Sequence, residues 1–442
     1  MFRTLALIVA LALPATAGHA SDLPGACPGC NLVLVTFDAL RADHVGAFGY
    51  GKPTTPRIDA FAGDAAVFTD AMSQSGTTIS SLPSLFTSKF PHSDGLLHAR
   101  SQLGILPGKT LLAQQLQEAG WNTAAVVAHE YARGHYGFSA GFDSFDDDYG
   151  ETELAAATAA RVEAALKDLE PPFFLWVHLR QPHSPYESTD EDFVRFYEGA
   201  VPPVNVQNSS YDAVLGTARA RGDWIGKYTF GAELREMSQE MLKQYRAKYD
   251  GNLRRGDAAF GRIMAKLDEQ AAREKTVVVV ASDHGESLGE HGIFDHNTLY
   301  WGGLHTPILV RSPGIEAGRR RWPVSNVDIL PTVLRLLGQP VPGDLRGRDL
   351  LDGDRDDVPQ VAEYANRRTI KLGRWKYMEK PPGSTGPALF DIEKDPDEEH
   401  NLVEAEPNRA AELASRLQAI EGRAPKVKDE LRDKLRALGY LR

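Results

Sequence analysis

The sequence predicts an α/β protein, a doubly wound and mostly parallel sheet flanked by helices, with a small C-terminal α+β subdomain. Three observations lead there. Apolar runs such as Val277 to Val280 are β-branched and uninterrupted by polar residues, as strands buried on both faces of a parallel sheet read. Segments of helical periodicity alternate with these runs. The runs end abruptly in Asp or His, which places chemistry at the carboxyl edge of the sheet, where ligands of open α/β sheets bind.

In chain order, Met1 to Ala20 has a basic Arg3, an apolar stretch from Leu5 to Leu13 and small residues up to Ala20, the layout of a secretory signal peptide. The stretch is shorter than the ~20 apolar residues of a membrane span. The expectation is an exported protein, periplasmic or extracellular, cleaved near Ala20 and not membrane-spanning. Pro24-Gly25-Ala26 fits a lipid anchor at Cys27 poorly. Cys27 and Cys30, in CPGC, are the only cysteines, and in an exported chain they are expected to form a disulfide pinning the first strand.

That strand is Asn31 to Phe37, followed at once by Asp38. Thr77 to Gly95 is hydroxyl-rich and leads into a helix, with Ser80 or Ser81 as its expected cap and Pro83 in its first turn. A helix runs from Thr110 to Ala119, a strand from Thr123 to Ala128 ends before His129, and a helix from Thr152 to Leu169 stops before Pro171. Phe173 to Val177 is a strand followed by His178, and prolines stiffen the loop that carries His183. The segment from Glu187 to Gly231 loses periodicity and reads equally as a substrate-facing insertion or a surface excursion. A helix over Glu233 to Gln270 precedes the central strand, which ends in Asp283 and His284. Pro340 to Asp357 reads as a linker, so that 21–340 forms the main domain and 341–442 the subdomain. The subdomain has strands around Thr369 to Tyr377 and Ala388 to Ile392, then helices near Arg409 to Ile420 and Val427 to Leu438.

The 442 residues are 42% hydrophobic and 25% charged, an ordinary globular composition, and the net charge of −11 argues against a nucleic-acid partner. Asp38, Asp283 and His284 suit a divalent metal. A hydroxyl at a helix amino terminus, where free N–H groups and partial positive charge favour an oxyanion, suits an activated nucleophile.

Asp38-Ala39-Leu40-Arg41-Ala42-Asp43-His44, Pro182-His183-Ser184-Pro185-Tyr186 and Ser282-Asp283-His284-Gly285-Glu286 with Gly289-Glu290-His291-Gly292 occur in one chain. So do Val327 to Thr332 and Leu389-Phe390-Asp391-Ile392 with His400-Asn401-Leu402. In this order the motifs resemble those of the sulfatase family of the alkaline-phosphatase superfamily, over nearly all of the mature chain. The resemblance implies a metal-dependent hydrolase of sulfuric or phosphoric esters, with a small molecule, glycan or lipid as the ester. It also departs from the family. Sulfatases carry Cys or Ser, any residue, Pro, any residue, Arg, and oxidise the first to formylglycine. Here a gap-free alignment puts Thr78 at that position, with Ser80 for Pro and Leu82 for Arg; the rival alignment uses Ser81. Ala39 replaces a second metal-binding Asp.

What remains, Asp38, Thr78, Asp283 and His284, is similar to the metal sites of the superfamily's phosphoethanolamine and phosphoglycerol transferases, which use a Thr nucleophile. The expectation is therefore one divalent ion (calcium, manganese or zinc), no formylglycine, and a preference for phosphoesters. By position, His183 and His296 are the candidates to bind and protonate the ester, with Arg41 and His305 as further substrate-binding candidates and His129 and His178 as strand-end histidines. A phosphotransferase to a lipid or glycan, or a non-catalytic anion- or glycan-binding protein, are the rival readings.

Overall fold

A computed structural model describes residues 25–92, 94, 105, 110–150, 155–186, 189–198, 239–269, 273–353, 355, 357–364 and 367–421. The expected leader peptide, most of the 187–231 segment and the helix expected at Val427 to Leu438 lie outside them. Among the described residues, no helix is long and apolar enough to cross a membrane.

The main sheet has eight strands: β1 (Asn31–Asp38), β2 (Ala66–Met72), β3 (Asn122–Val127), β4 (Ser144–Asp146), β5 (Phe173–Pro182), β6 (Thr276–Ser282), β9 (Ile308–Arg311) and β10 (Gly318–Ser325). A small hairpin of β7 (Ser287–Leu288) and β8 (Phe294–Asp295) lies between β6 and β9 in the chain. The order across the sheet is β10-β2-β9-β6-β1-β5-β3-β4. Every pairing is parallel except the two made by β9. The carboxyl ends of β1, β3, β5 and β6 therefore share one edge.

Alternation along each strand divides the core into two layers. Val33, Val35 and Phe37 of β1, with Val278 and Val280 of β6, pack against helices Pro56–Ala62, Ala155–Asp168 and Gln239–Glu269. Leu32 and Leu34, with Val277, Val279 and Ala281, pack against helices Thr78–Thr87, Leu112–Glu118 and Ile329–Leu336. Because both faces are covered, the runs carry no polar alternation. Cys27 and Cys30 are joined, and Cys27 N donates to the Leu336 carbonyl, which fastens the entrance of β1 to the sheet's flank.

The second sheet is antiparallel, in the order β11 (Gln360–Tyr364), β12 (Arg367–Leu372), β13 (Trp375–Met378), β14 (Ala388–Asp391), and is covered by helix Pro407–Glu421.

Several boundaries differ from expectation. β5 continues to Pro182, because β1 keeps pairing with it through Phe37↔Leu179 and Asp38↔Pro182, so His178 lies within the strand. The helix after β2 begins at Thr78 with Thr77 as N-cap, not at Ser80 or Ser81, and Pro83 lies inside it. Ser80 N and Ser81 N both donate to the Thr77 carbonyl, which fixes that earlier start. In the main sheet, β2, β4, β9 and β10 were not foreseen. β9 is short, and β10, at the sheet edge, alternates exposed arginines with half-buried residues.

Candidate functional site

Asp38 ends β1, and the chain then turns through Ala39, whose φ is 63°. Two neighbours hold that turn: Ala39 N donates to Asp283 Oδ1 at 3.1 Å, and the Tyr249 hydroxyl donates to the Ala39 carbonyl at 2.8 Å. Asp283 Oδ1 also accepts from His284 N at 2.7 Å. Its other oxygen, Oδ2, is buried without a hydrogen bond and faces His284 Nε2 at 3.5 Å. One oxygen is thus committed to the backbone while the second is presented to the site.

His284 is oriented in the same way. Its Nδ1 lies 2.7 Å from the Gly285 carbonyl, and since a carbonyl only accepts, Nδ1 carries the proton and Nε2 has the lone pair. Nε2 is 3.6 Å from Asp38 Oδ1 and 3.1 Å from Thr78 Oγ1, which is in turn 3.5 Å from Asp38 Oδ1. Thr78 opens its helix, so the helix terminus directs partial positive charge at this point. Gly285 permits the close turn, because a Cβ there would stand 2.1 Å from the Gly302 carbonyl oxygen.

These residues fit a divalent ion. Asp38, Asp283 and His284 are fully buried and each offers a ligand atom to a common point. The electrostatics agree. Burial and the Asp38 charge push Asp283 up, while at Asp38 the burial penalty is outweighed by His129, His183 and the neighbouring histidines, which hold it well below the usual carboxylate range. Two buried carboxylates facing each other call for a cation.

A histidine cluster continues from this point. The ring centroids of His183 and His296 are 4.8 Å apart, those of His284 and His296 4.9 Å, and those of His129 and His183 4.9 Å. His183 donates from Nδ1 to the Ser184 carbonyl, and burial pushes it down to about 4. His296 behaves oppositely. Burial works against its charge, but Asp295, with Oδ1 2.5 Å from its Nδ1, and Glu286, at 3.7 Å, hold it well above the ordinary imidazole range. One neutral imidazole beside one imidazolium supplies an acceptor and a donor for an anionic ester.

The structure thus brings together Asp38, Thr78, Asp283, His284, His183 and His296. Ser81 Oγ is buried without a hydrogen bond, and in this helix Thr78, not Ser81, hydrogen-bonds to Asp38 and His284. Arg41 and His305 lie elsewhere. Arg41 binds Asp43 through Nε and Nη2 at 2.9 and 2.7 Å, Glu290 at 2.9 Å and the Glu286 carbonyl at 3.1 Å, which uses its donors in holding the loop. His305 Nε2 is 3.1 Å from the Thr69 carbonyl and its ring stacks on Trp301. Both side chains are engaged in these contacts. Glu286 was overlooked although it stands in the same Asp-His-Gly-Glu run; it is fully buried, with burial pushing it up to about 7. Asp295 was overlooked as well, and its position directly before His296 was the available signal.

Comparison with known proteins gives a consistent picture. A family model described as Sulfatase matches residues 30–339, and one described as N-sulphoglucosamine sulphohydrolase, C-terminal, matches residues 289–421. The chain is 25% identical to Arylsulfatase K of Xenopus laevis over a 448-residue alignment, covering 89% of this chain and 82% of that protein. It is 32% identical over 218 residues to Arylsulfatase K of Homo sapiens, covering 45% and 40% respectively. In structure it is similar to a phosphonate monoester hydrolase of Agrobacterium radiobacter, with a TM-score of 0.71, 19% identity, and coverage of 89% of this chain and 95% of that one. A protein solved with its substrate D-glucosamine-2-N,6-O-disulfate gives a TM-score of 0.71 at 18% identity, with coverage of 89% and 98%.

Proposed function

Because the chain belongs to the sulfatase family of ester hydrolases, matched over residues 30–339, we propose that it is an exported enzyme that cleaves a phosphoric ester in preference to a sulfuric one, with Thr78 as nucleophile. The observation that carries this reading is the position of Thr78 Oγ1, 3.1 Å from His284 Nε2 and 3.5 Å from Asp38 Oδ1 at the start of a helix. The leader-like sequence from Met1 to Ala20 supports export.

Asp38, Asp283, His284 and Thr78 would hold the divalent ion; when bound, it supplies positive charge that lowers the pKa of the Thr78 hydroxyl and neutralises the ester's anionic oxygens. Among the candidates calcium, manganese and zinc, the imidazole donor favours zinc, and the carboxylates suit manganese and calcium. Thr78 Oγ1 attacks phosphorus in line, its proton lost to solvent, because the two acceptors in reach, His284 Nε2 at 3.1 Å and Asp38 Oδ1 at 3.5 Å, would both be engaged as ligands. The bond between phosphorus and the leaving oxygen breaks as His296, kept cationic by Asp295 and Glu286, donates a proton to that oxygen. His183, neutral, accepts a proton from the water that then discharges the phosphothreonine.

Preference for phosphorus follows from the chemistry of threonine. Its secondary hydroxyl cannot be oxidised to formylglycine's aldehyde, so the route that expels sulfate by carbon–oxygen cleavage of a hydrate is closed. The test is rapid-quench mass spectrometry of the peptide containing Thr78 and Ser81 after reaction with paired aryl phosphate and aryl sulfate esters. The expected result is a phosphate adduct at Thr78 and faster phosphate-ester turnover. An aldehyde at Ser81 overturns the nucleophile assignment, faster sulfate-ester turnover overturns the preference, and a phosphorylated product with added alcohol replaces the hydrolase by a transferase.

A further inference from the structure

The carboxylate of Asp38 has two faces, and the site described above uses only one. Oδ1 faces Thr78 and His284, whereas Oδ2, buried without a hydrogen bond, faces two histidines that the proposed reaction does not use. His129 Nδ1 is 3.2 Å from Oδ2 and His178 Nε2 is 3.6 Å from it, and both nitrogens are likewise buried without hydrogen bonds. The three atoms lie within 4.8 Å of one another. Bonds of ~2.0–2.1 Å at tetrahedral angles separate neighbouring donor atoms by about 3.3 Å, close to the two spacings to Oδ2.

The protonation of His178 decides between a ligand and a mere hydrogen-bond donor to Asp38. Its Nδ1 is 2.8 Å from Thr36 Oγ1, which also accepts from Trp176 Nε1 at 2.9 Å and is 3.2 Å from the Val177 carbonyl. If the Thr36 hydrogen goes to the carbonyl, Thr36 accepts from both rings, every group is satisfied, and His178 Nε2 carries a lone pair. The other tautomer directs an N–H at Asp38 Oδ2 over 3.6 Å, too long for a hydrogen bond. The arrangement therefore presents a bare nitrogen beside a bare carboxylate oxygen. The adjacent His183, Asp295 and His296 group differs, since Asp295 is already paired with His296.

We propose that Asp38 Oδ2, His129 Nδ1 and His178 Nε2 bind a second divalent cation of borderline softness, of the zinc class, with Asp38 bridging it to the first. The site rests on the first-ion reading given above, because Asp38 is shared. It is three-coordinate from protein, which leaves a position for water or an ester oxygen. His129, 7% exposed while Asp38 and His178 are fully buried, is the side from which the ion enters. Carboxylate-bridged ions stand about 3.5–4 Å apart, a spacing that clamps two oxygens of a phosphoryl group in an in-line displacement.

Cobalt(II) titration of the chelator-stripped full chain tests this, read by elemental analysis of the desalted protein and by the visible absorption of bound cobalt. The expected stoichiometry is two ions in the wild type and one in each of His129→Gln, His178→Gln and Asp283→Ala. Two ions retained in both histidine variants overturn the proposal. So does one ion in the wild type that Asp283→Ala loses and the histidine variants keep, a result that leaves the first site intact. No ion in the wild type overturns the first-ion reading and this one with it. Near-ultraviolet circular dichroism checks folding; if His178→Gln, at a fully buried position, does not fold, His129→Gln decides alone.

Discussion

At the scale of single residues, the site was legible wherever a polar residue closes a buried apolar run. Asp38, Asp283 and His284 stand out because nothing in a strand covered on both faces explains a charged residue, and the structure brings the three together. Thr78 was legible only by alignment, since capping explains most hydroxyls at a helix start, and its contacts with Asp38 and His284 are tertiary. That Glu290 and the Glu286 carbonyl hold Arg41 was not legible, because these partners are far from it in sequence. For Thr78 the expected outcome of substitution is specific. Thr78→Ala should reduce kcat by about 10³-fold or more, as removal of a nucleophile does, while metal stoichiometry is unchanged because Asp38, Asp283 and His284 remain. Thr78→Ser should retain measurable turnover, and Ser81→Ala should leave kcat near wild type. Steady-state kinetics with elemental analysis of the same samples checks all three, and full activity in Thr78→Ala removes threonine from the mechanism.

At the scale of elements, β1, β3, β5 and β6 were readable from apolar runs, whereas β2, β4, β9 and β10 were not. Short length dilutes the apolar signal of β4 and β9 and edge exposure that of β10, while the half-buried Thr69 and Asp70 interrupt β2; pairing across the sheet rather than local pattern makes those strands. A trans-acting helix cap was equally invisible. Helix Pro56–Ala62 has Thr55 as N-cap with no side-chain capping bond, and its Arg57 and Ile58 N–H groups donate instead to Asp257 from the long helix, at 3.0 and 2.8 Å. Burial pushes Asp257 from 3.8 up to about 6. The folded state therefore keeps a proton between these values that the unfolded chain has released, so this contribution is full below pH 3.8 and is lost as pH rises through about 6. Urea unfolding across that window should show wild type losing up to about 2–3 kcal/mol relative to Asp257→Asn, which does not titrate. Parallel pH profiles for the two would exclude the coupling. Asp257→Ala should cost about 1–2 kcal/mol at neutral pH through the lost cap.

The disulfide belongs to the same scale. Cys27 and Cys30 close a very short loop, for which the chain-entropy argument gives about 2 kcal/mol. They sit at the entrance of β1, with the whole strand between them and Asp38. Cys27→Ser with Cys30→Ser should lower unfolding free energy by about 1–2 kcal/mol and leave kcat and metal content unchanged. A loss of turnover in the folded double variant would instead point to a role for the thiols in the chemistry.

At the scale of the whole molecule, the alternation of strands and helices made the α/β architecture legible, and the C-terminal sheet announced itself by a change of pattern. Its mechanical relation to the site was not legible, because it rests on tertiary hydrogen bonds, several of which converge on Gln74. Gln74 lies between β2 and the Thr78–Thr87 helix, in the loop that delivers Thr78. Its Oε1 accepts from Val327 N at 3.0 Å, Nε2 donates to the Val361 carbonyl at 3.4 Å, and its carbonyl accepts from Glu363 N at 2.8 Å. β11 of the second sheet thus extends the main domain's hydrogen bonding onto this loop, and Gln74 is itself fully buried. The C-terminal sheet is therefore part of what positions Thr78, the proposed nucleophile. Gln74→Ala leaves a buried N–H without its acceptor and a buried carbonyl without its donor, so the expected cost is about 2–4 kcal/mol of stability. A loop held less tightly also misplaces Thr78 by a fraction of an ångström, and positioning errors near 1 Å cost on the order of 10²-fold in rate. The expected kinetic signature in the folded variant is a kcat lowered about 10-fold or more with unchanged metal stoichiometry, since none of the ligands touches Gln74. Loss of stability with kcat intact would confine Gln74 to the fold and detach the second sheet from catalysis.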